Sequence, residues 1–149
     1  MYYLIIFILI AADQIIKIVV RNTFEIGQGF NVLGDFFQIT YIENTGMAFG
    51  MMAGKSAFLI LMPIVLLAGV WIFWKKYRKE YKMLFTISTA MVIAGGLSNL
   101  IDRVLFKSVT DYLDLQGFAV FNFADICATV GCVLLCFSIW FLEKKENKD

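Results

Sequence analysis

Five aspartates are the side chains in this sequence most able to carry out chemistry. Asp13, Asp102, Asp111, Asp114 and Asp125 each lie inside or beside a long apolar run. An ionisable side chain in such a place is costly to keep, so it marks a functional site by default. Two carboxyl groups held close together in a low-dielectric cleft do not both ionise easily, so one keeps a proton while the other acts as a base on a shared water. The sequence therefore admits hydrolysis by paired aspartates.

Other catalytic chemistries are limited by composition. The chain has no histidine, which excludes Ser–His and Cys–His nucleophiles, HExxH sites and most imidazole-based zinc sites. Cys127, Cys132 and Cys136 share one apolar run without a CxxC pair, so we expect them to pack as small apolar residues. A formal net charge of +1 offers no basic field for nucleic acid. A reaction carried by carboxyl groups alone requires neither a metal nor a cofactor.

Two of the aspartates have a cation close by in sequence. Asp13 precedes Lys17 by one helical turn, which predicts a structural ion pair. Asp102 is followed at once by Arg103, so it either forms a neutralised pair that caps a helix end or takes part directly in the chemistry. Asn99 lies three residues before Asp102, and on a helix the two side chains face the same way.

Asp125 lies about one turn inside an apolar run and has no cation within reach along the sequence, so its partner must come from elsewhere. Asn122 precedes it by three residues, which repeats the spacing of the other Asn–Asp pair. Asp111 is flanked by residues that prefer a partly buried extended chain. We interpret Asp111 and Asp125 as a pair, although Asp114 could replace Asp111 on spacing alone and all three could be separate interfacial carboxylates.

The elements that position these residues are apolar helices. The chain is 60% hydrophobic and 17% charged, with a mean hydropathy of +0.78, which a soluble domain of 149 residues could not bury. About 20 helical residues cross a hydrocarbon core of about 30 Å. Four runs are long enough: 1–20, 57–74, 83–101 and 120–142. We predict an all-α membrane protein, a single domain over 1–149 formed by a bundle of four transmembrane helices, with the first run retained as a helix.

Orientation follows from the cations in the short links. Residues 75–82 and the tail at 144–148 are rich in lysine, which places both of them, and both termini, in the cytoplasm. Segments 22–56 and 103–119 are then extracytoplasmic, and we expect Lys17 and Arg21 to reach the outer interface with their charged ends. The acidic residues lie near the extracytoplasmic face.

The first outer segment has the pattern of a small sheet. Residues 30–33 and 36–43 are rich in β-branched and aromatic side chains and are separated by glycine turns. We predict an extracytoplasmic β-sheet cradle between the first and second helices, followed by a methionine-rich apolar lip over 47–52. The alternative is a purely structural loop seated in the lipid headgroups.

Five ordered segments resemble the motifs of bacterial lipoprotein signal peptidase, the signal peptidase II family. They extend over nearly the whole chain. They are Ala12-Asp13-Gln14 with Lys17, then Asn44-Thr45-Gly46-Met47-Ala48-Phe49, Gly95-Gly96-Leu97-Ser98-Asn99-Leu100-Ile101-Asp102-Arg103, Val109-Thr110-Asp111-Tyr112 and Phe121-Asn122-Phe123-Ala124-Asp125.

The resemblance implies an aspartyl endopeptidase of the bacterial cytoplasmic (inner) membrane. It implies cleavage of a prolipoprotein just before the cysteine that carries a diacylglyceryl group, with membrane lipid around the enzyme and globomycin-type cyclic peptides as inhibitors. It also implies a cradle on the membrane surface and a covering loop with a short helix. By the same resemblance Asp111 and Asp125 are catalytic, and the supporting residues are Asp13, Asn44, Asn99, Asp102, Arg103 and Asn122.

Two features depart from the family, which commonly has glycine at Ser98 and a longer stretch between Asp111 and Asp125. We expect the added hydroxyl group of Ser98 to do little. The alternative class of function is a small non-enzymatic membrane carrier that uses interfacial carboxylates. Transporters usually show repeats and helices broken near the midplane, whereas the acidic residues here cluster at one edge.

Overall fold

The computed structural model describes residues 1–46, 56–78 and 83–146. The chain alternates long helices with pairs of short strands. In order, the elements are α1 (Tyr2–Thr23), β1 (Gly29–Leu33), β2 (Phe37–Asn44), α2 (Ser56–Tyr77), α3 (Met83–Phe106), β3 (Val109–Leu115), β4 (Ala119–Phe121) and α4 (Phe123–Glu146). The predicted lip over 47–52 lies outside the described residues.

All four helices are long and apolar enough to cross a membrane, which confirms the predicted four-helix bundle. Their outward surfaces carry large apolar side chains, such as Phe7 at 69% exposure and Val65 at 70%. Such surfaces suit lipid as the solvent, since the apolar side chains lose nothing by facing acyl chains. The helix with the largest buried share is α3, which packs against α1, α2 and α4.

Close contact between α3 and α4 depends on a glycine. A Cβ atom on Gly95 would collide with the carbonyl oxygen of Ala124 and the amide nitrogen of Ala128. Small residues allow two membrane helices to bring their backbones this close. The contact therefore fixes the first turns of α4, which carry Asp125, against the centre of α3.

The predicted strands at 30–33 and 36–43 are present as β1 and β2. They form half of an antiparallel sheet of order β1-β2-β3-β4, whose other two strands come from the link between α3 and α4. In the β2–β3 register, Ile42 lies opposite Asp111 and Asn44 lies opposite Val109. The sheet thus draws on both links on one side of the bundle and carries Asp111 to the helix ends.

Two helices differ at one end from the apolar runs that the sequence predicts as spans. The fourth span was expected to begin at Val120, but Val120 and Phe121 pair with β3 and the helix begins at Phe123. The apolar run continues through the strand into the helix, so hydropathy alone does not mark the change. The third span was expected to end near Ile101 and instead continues to Phe106, so Asp102 and Arg103 lie within the helix.

Candidate active site

Lys17 forms the centre of a charged network inside the bundle. Its side chain is 0% exposed, and Nζ lies 2.8 Å from Asp13 Oδ2 and 3.0 Å from Asp102 Oδ2. Arg21 Nη2 lies 2.8 Å from Asp102 Oδ1 and supplies the second positive charge. Two carboxylates and two cations therefore balance, which buried charges require. The predicted Asp13–Lys17 pair is confirmed. The expectation that Lys17 reaches the outer interface was wrong, because its ammonium group is fully buried between two acids, whereas the Arg21 side chain remains 16% exposed.

Asp102 does not use its sequence neighbour as its partner. Besides Lys17 and Arg21, it accepts hydrogen bonds from Gln14 Nε2 at 3.1 Å and from the backbone N–H of Thr110 at 3.1 Å. Successive side chains on a helix point about 100° apart, so Asp102 faces α1 while Arg103 points elsewhere. The expected neutralisation of Asp102 by Arg103 was wrong.

Asp13 ties three helices together. Its Oδ2 atom accepts a hydrogen bond from Ser98 Oγ at 2.7 Å, and its Oδ1 atom accepts one from the backbone N–H of Ala124 at 2.9 Å. Ser98 also accepts a hydrogen bond from Gln14 Nε2 at 3.0 Å. The Ser98 hydroxyl group is thus a member of the network between α1 and α3, which is more than the sequence led us to expect.

Every backbone N–H group in the first turn of α4 has an acceptor. Helix N-termini leave four such groups without partners inside the helix. The acceptors are Tyr112 Oη for Phe123 at 3.1 Å, Asp13 Oδ1 for Ala124 at 2.9 Å, Asn122 Oδ1 for Asp125 at 2.9 Å and the Asn122 carbonyl for Ile126 at 3.3 Å. The backbone that carries Asp125 is therefore fixed by α1, by β3 and by the residue that precedes the helix.

Three asparagines orient two carboxyl groups. Asn44 Nδ2 donates to Asp111 Oδ2 at 2.9 Å, and Asn122 Nδ2 donates to Asp111 Oδ1 at 2.7 Å. Asn99 Nδ2 donates to Asp125 Oδ1 at 2.7 Å. The remaining oxygen of Asp125, Oδ2, accepts the backbone N–H of Asn122 at 3.1 Å. All four carboxyl oxygens of Asp111 and Asp125 therefore accept a hydrogen bond.

The orientation of each asparagine amide is determined by the donor that its side-chain oxygen accepts from. An obligatory donor faces the amide oxygen in all three cases, so the NH₂ group must turn toward a carboxyl group. The donors are Lys17 Nζ for Asn99 at 2.8 Å, the backbone N–H of Asp125 for Asn122 at 2.9 Å and the backbone N–H of Gly46 for Asn44 at 2.9 Å. The charged network of α1 is thereby connected to Asp125 through Asn99.

Asp111 and Asp125 line one cavity of about 250 Å³, together with Asn44, Asn99 and Arg103. Asp114 does not line it. Its carboxyl group accepts a hydrogen bond from Gln116 at 2.6 Å instead. The sequence left Asp111 and Asp114 as alternatives, and the strand places Asp111 beside Asp125.

A groove of about 310 Å³ shares Asn99, Arg103 and Asp125 with this cavity and continues between α2, α3 and α4. Apart from those three residues, its lining is apolar and includes Met62 and Pro63. The cavity is therefore continuous with an apolar path along the helices. Such a path suits an extended or helical apolar segment that approaches from lipid.

Burial changes the acidity of Asp111, which lies in β3 outside the spans. Its side chain is 3% exposed, and burial raises the pKa of its carboxyl group from 3.8 to about 6. The hydrogen bond from Asn44 opposes the rise, and the charge of Asp125 adds to it. A carboxyl group with such a pKa keeps a proton at a pH where ordinary aspartates have lost theirs, which is the property required of a general acid.

Arg103 lies where the cavity and the groove meet. Its Nη2 atom donates to the carbonyl oxygen of Gly46 at 3.2 Å. Gly46 in turn donates its N–H to Asn44, so Arg103 supports the turn that holds the Asn44 amide against Asp111. The structure thus gives Arg103 a place in the site, although not the place beside Asp102 that the sequence indicated.

Sequence reasoning missed several members of the network. Gln14 and Arg21 share one side of α1 with Asp13 and Lys17, and Arg21 Nε also donates to Thr110 Oγ1 at 2.7 Å. The signal was present, because positions 13, 17 and 21 recur every four residues on a helix. The spacing alone predicts the Asp13–Lys17 pair, but it does not predict that Lys17 and Arg21 share Asp102 as a partner.

The fold and the site define an integral membrane protein with one buried and one half-buried carboxyl group beside a cavity at one end of a four-helix bundle. Residues 5–141 match the family model described as signal peptidase (SPase) II, so the chain belongs to the signal peptidase II family. It is a multi-pass bacterial membrane protein and a peptidase, which confirms the predicted family and disfavours the carrier alternative.

Individual relatives agree with this placement. The lipoprotein signal peptidase of Halothermothrix orenii is 35% identical over 144 residues, which cover 97% of this chain and 98% of that protein. The lipoprotein signal peptidase of Clostridium acetobutylicum is 36% identical over 145 residues, covering 94% and 92%. A solved structure described as a bacterial membrane enzyme superposes with a TM-score of 0.86 at 32% identity, over 99% of this chain and 91% of that chain.

Proposed function

We propose that the protein is an aspartic endopeptidase that cleaves diacylglyceryl-modified prolipoproteins just before the lipid-modified cysteine, with Asp111 and Asp125 as the catalytic pair. One observation carries this proposal: both carboxyl groups are held by asparagine amides at the wall of the same cavity. The substrate class is that indicated by the names of the relatives, which are lipoprotein signal peptidases.

The two aspartates have different surroundings, and we assign them different roles. Asp125 lies in the first turn of α4, where the positive end of the helix dipole favours a carboxylate. Asp111 lies on β3 and not on a helix, and its raised pKa of about 6 favours retention of a proton. We assign Asp125 as the base and Asp111 as the acid, while the pair shares one proton and titrates as a unit.

The reaction then follows in two balanced steps. Asp125 takes a proton from water as the water oxygen bonds to the scissile carbonyl carbon, and Asp111 gives its proton to the carbonyl oxygen. The product is a neutral gem-diol. Asp111 next takes a hydroxyl proton from the gem-diol and Asp125 gives its proton to the amide nitrogen, after which the carbon–nitrogen bond breaks and the pair returns to its starting state.

The apolar groove beside the cavity suits the signal peptide. Its walls come from α2, α3 and α4, and its polar end is formed by Asn99, Arg103 and Asp125. An apolar peptide helix in this groove would leave its scissile end at the two carboxyl groups. The Arg103 guanidinium has five N–H donors, and among the residues that the structure describes one of them donates to Gly46, which leaves donors for carbonyl oxygens of the substrate.

We propose that the site faces the extracytoplasmic side and that both termini are cytoplasmic. The last turn of α2 carries Lys75 and Lys76, and an excess of lysine marks the cytoplasmic end of a membrane helix. The site lies at the other end of the bundle, which supports an extracytoplasmic position. The sheet then lies at the outer membrane surface as a cradle for the lipid-bearing end of the substrate. Reporter fusions after Lys79 and Lys148 should both give a cytoplasmic signal, and an exported signal from either would overturn this orientation.

The activity is tested with purified protein and two matched substrates. A diacylated prolipoprotein should be cut to leave the lipid-modified cysteine as the new N-terminus, as read by mass spectrometry, whereas the unlipidated precursor should stay intact. A globomycin-type cyclic peptide should block the cut. If neither substrate is cleaved, the proposal is contradicted. If both are cleaved, the requirement for the lipid is contradicted.

A further inference from the structure

A second groove lies on a different side of α2 from the proposed substrate groove, and Leu67 lines both grooves. It has a volume of about 420 Å³ and an almost wholly apolar lining from α1, α2 and α3, including Tyr3, Ile64, Trp71 and Leu97. It exists because α1 and α2 both pack on α3 but make few backbone contacts with each other. Neither Asp111 nor Asp125 lines this groove, so it is not an extension of the candidate active site.

Cations stand over aromatic rings at the lysine-bearing end of α2. Lys75 Nζ lies 4.5 Å from the ring centroid of Trp71, which itself lines the groove. The Arg78 guanidinium lies 5.2 Å from the ring centroid of Trp74. Neither cation forms an ion pair with another residue that the structure describes. A cation over a ring still has N–H donors to offer, so this end of the groove can bind an anion.

We propose that this groove and the cations beside it bind one anionic phospholipid, with an acyl chain between α1 and α2 and the phosphate on Lys75 and Arg78. The groove opens to the bilayer and has almost no polar lining, which matches an acyl chain and not a peptide backbone. The positive charge at its end matches a phosphodiester, and basic pockets between membrane helices are known to take such headgroups.

The bound lipid completes the packing of the bundle. At this end α1 and α2 are joined by the stack of Tyr2 on Trp74, whose ring centroids are 3.6 Å apart. Further along, the groove separates the two helices, and an ordered acyl chain fills the space between them. The proposed phosphate site is distinct from the proposed peptidase site, because Lys75 and Arg78 lie at the end of α2 away from the two carboxyl groups.

Tryptophan quenching tests the proposal, because the chain has three tryptophans and two of them form a matched pair. Trp71 lines the groove, whereas Trp140 lies on α4, is 54% exposed and does not line it. Variants that keep only one of the two, with phenylalanine at the other tryptophan positions, are placed in phosphatidylcholine vesicles. Phosphatidylglycerol with brominated chains is then added in small amounts, and emission is compared with that in unbrominated vesicles.

Trp71 should be quenched at a several-fold lower fraction of brominated phosphatidylglycerol than Trp140. Lys75→Gln should raise the fraction required about fivefold, which is the contribution of one cation near an anionic headgroup. Lys107→Gln removes an exposed cation at the other end of the bundle and should change nothing.

Two outcomes overturn the site. Equal quenching of Trp71 and Trp140 would mean that the groove meets only bulk lipid. Brominated phosphatidylcholine as effective at Trp71 as the anionic lipid would mean that the cations do not select the headgroup. Thermal melts of the same samples show that each variant is folded, so a failure of lipid binding is separated from a failure of the proposed peptidase activity.

Discussion

Asn122 and Asp125 hold each other by two reciprocal hydrogen bonds. The backbone N–H of Asn122 donates to Asp125 Oδ2 at 3.1 Å, and the backbone N–H of Asp125 donates to Asn122 Oδ1 at 2.9 Å. This is the geometry of a capping box, in which the residue before a helix and the third residue of the helix satisfy each other. The start of α4 and the position of a candidate catalytic carboxyl group are therefore determined by the same contact.

Replacement of either paired aspartate should stop the reaction. Asp111→Asn and Asp125→Asn should each lower the cleavage rate by about 10²–10⁴-fold, because an amide cannot exchange the proton. Both variants should still accumulate in the membrane. Asp114→Asn is the matched control, since Asp114 lies on the same strand but outside the cavity, and it should cleave at the normal rate. Substantial turnover by either paired variant in a detergent assay would contradict the assignment.

Two substitutions of Asn122 should separate its role as the cap of α4 from its role in positioning Asp111. Asn122→Ala removes a helix cap and should destabilise the protein by about 1 kcal/mol, besides lowering the rate. Asn122→Ser restores a good capping oxygen, so the melting temperature should recover. It does not restore the amide that donates to Asp111 at 2.7 Å, so the rate should stay low. If Asn122→Ser restores both melting and cleavage, the amide does not position Asp111.

Asp102 should matter for stability through Lys17 and Arg21. Asp102→Ala leaves a fully buried lysine without one of its two acids, and loss of one member of a buried ion pair costs about 3–5 kcal/mol. Asp102→Asn keeps an oxygen that accepts from Arg21 and should be milder. Thermal melts in detergent compare the two variants, and coincident melts would show that the network does not depend on this carboxyl group.

The rate should fall as the pH rises through about 6. Burial raises the pKa of Asp111 to about 6, and the proposed acid must be protonated. The value of kcat/KM should therefore decrease above that pH and decrease again in acid, where the pair takes up its second proton. Asp114→Asn should keep the same profile. A rate that is flat from about pH 5 to 8 would contradict the role given to Asp111.

The raised pKa of Asp111 also predicts how the folding stability changes with pH. Between pH about 4 and about 6 the folded protein holds a proton on Asp111 that the unfolded chain has lost, so folding stability from this group falls as the pH rises through that window. Asp111→Asn removes this contribution. The melting temperatures of the wild-type protein and the Asp111→Asn variant should therefore be similar at low pH, and the wild-type value should fall relative to the variant as the pH rises.

A single methyl group on α3 should disturb the site. A Cβ atom on Gly95 meets the backbone of α4 at Ala124, so Gly95→Ala should push the first turn of α4 outward and lower both the rate and the melting temperature. Gly69→Ala is the control, because a Cβ atom there has nothing within 4 Å. It should leave both unchanged or raise the melting temperature slightly. Equal effects from the two substitutions would contradict a close α3–α4 contact.

The sequence predicts those parts of the fold that one segment determines alone. Four helices follow from apolar length, and β1 and β2 follow from a local pattern between glycine turns. The start of α4 does not, because Val120 and Phe121 are as apolar as a helix and become a strand only by pairing with β3. Likewise Asp111 and Asp114 differ only by strand position, which a register between two distant segments decides.

Ion-pair partners, too, can be predicted from the sequence only where a single segment determines them. The Asp13–Lys17 pair could be predicted, since four residues on one helix bring the side chains together. The partners of Asp102 could not, because they come from α1, about 80 residues earlier in the chain. Adjacency suggested Arg103, whereas helix geometry turns these two side chains apart.

The buried ion network also bears on how the chain enters the bilayer. Asp13 and Lys17 neutralise each other within α1, so the first helix can insert before the other helices are made. Asp102 has no such partner on α3 and depends on Lys17 and Arg21 of α1. Since synthesis proceeds from the N-terminus, the cations are already in the membrane when the acid that needs them arrives. The cations of α1 therefore enter the membrane before Asp102 of α3, the acid that they neutralise.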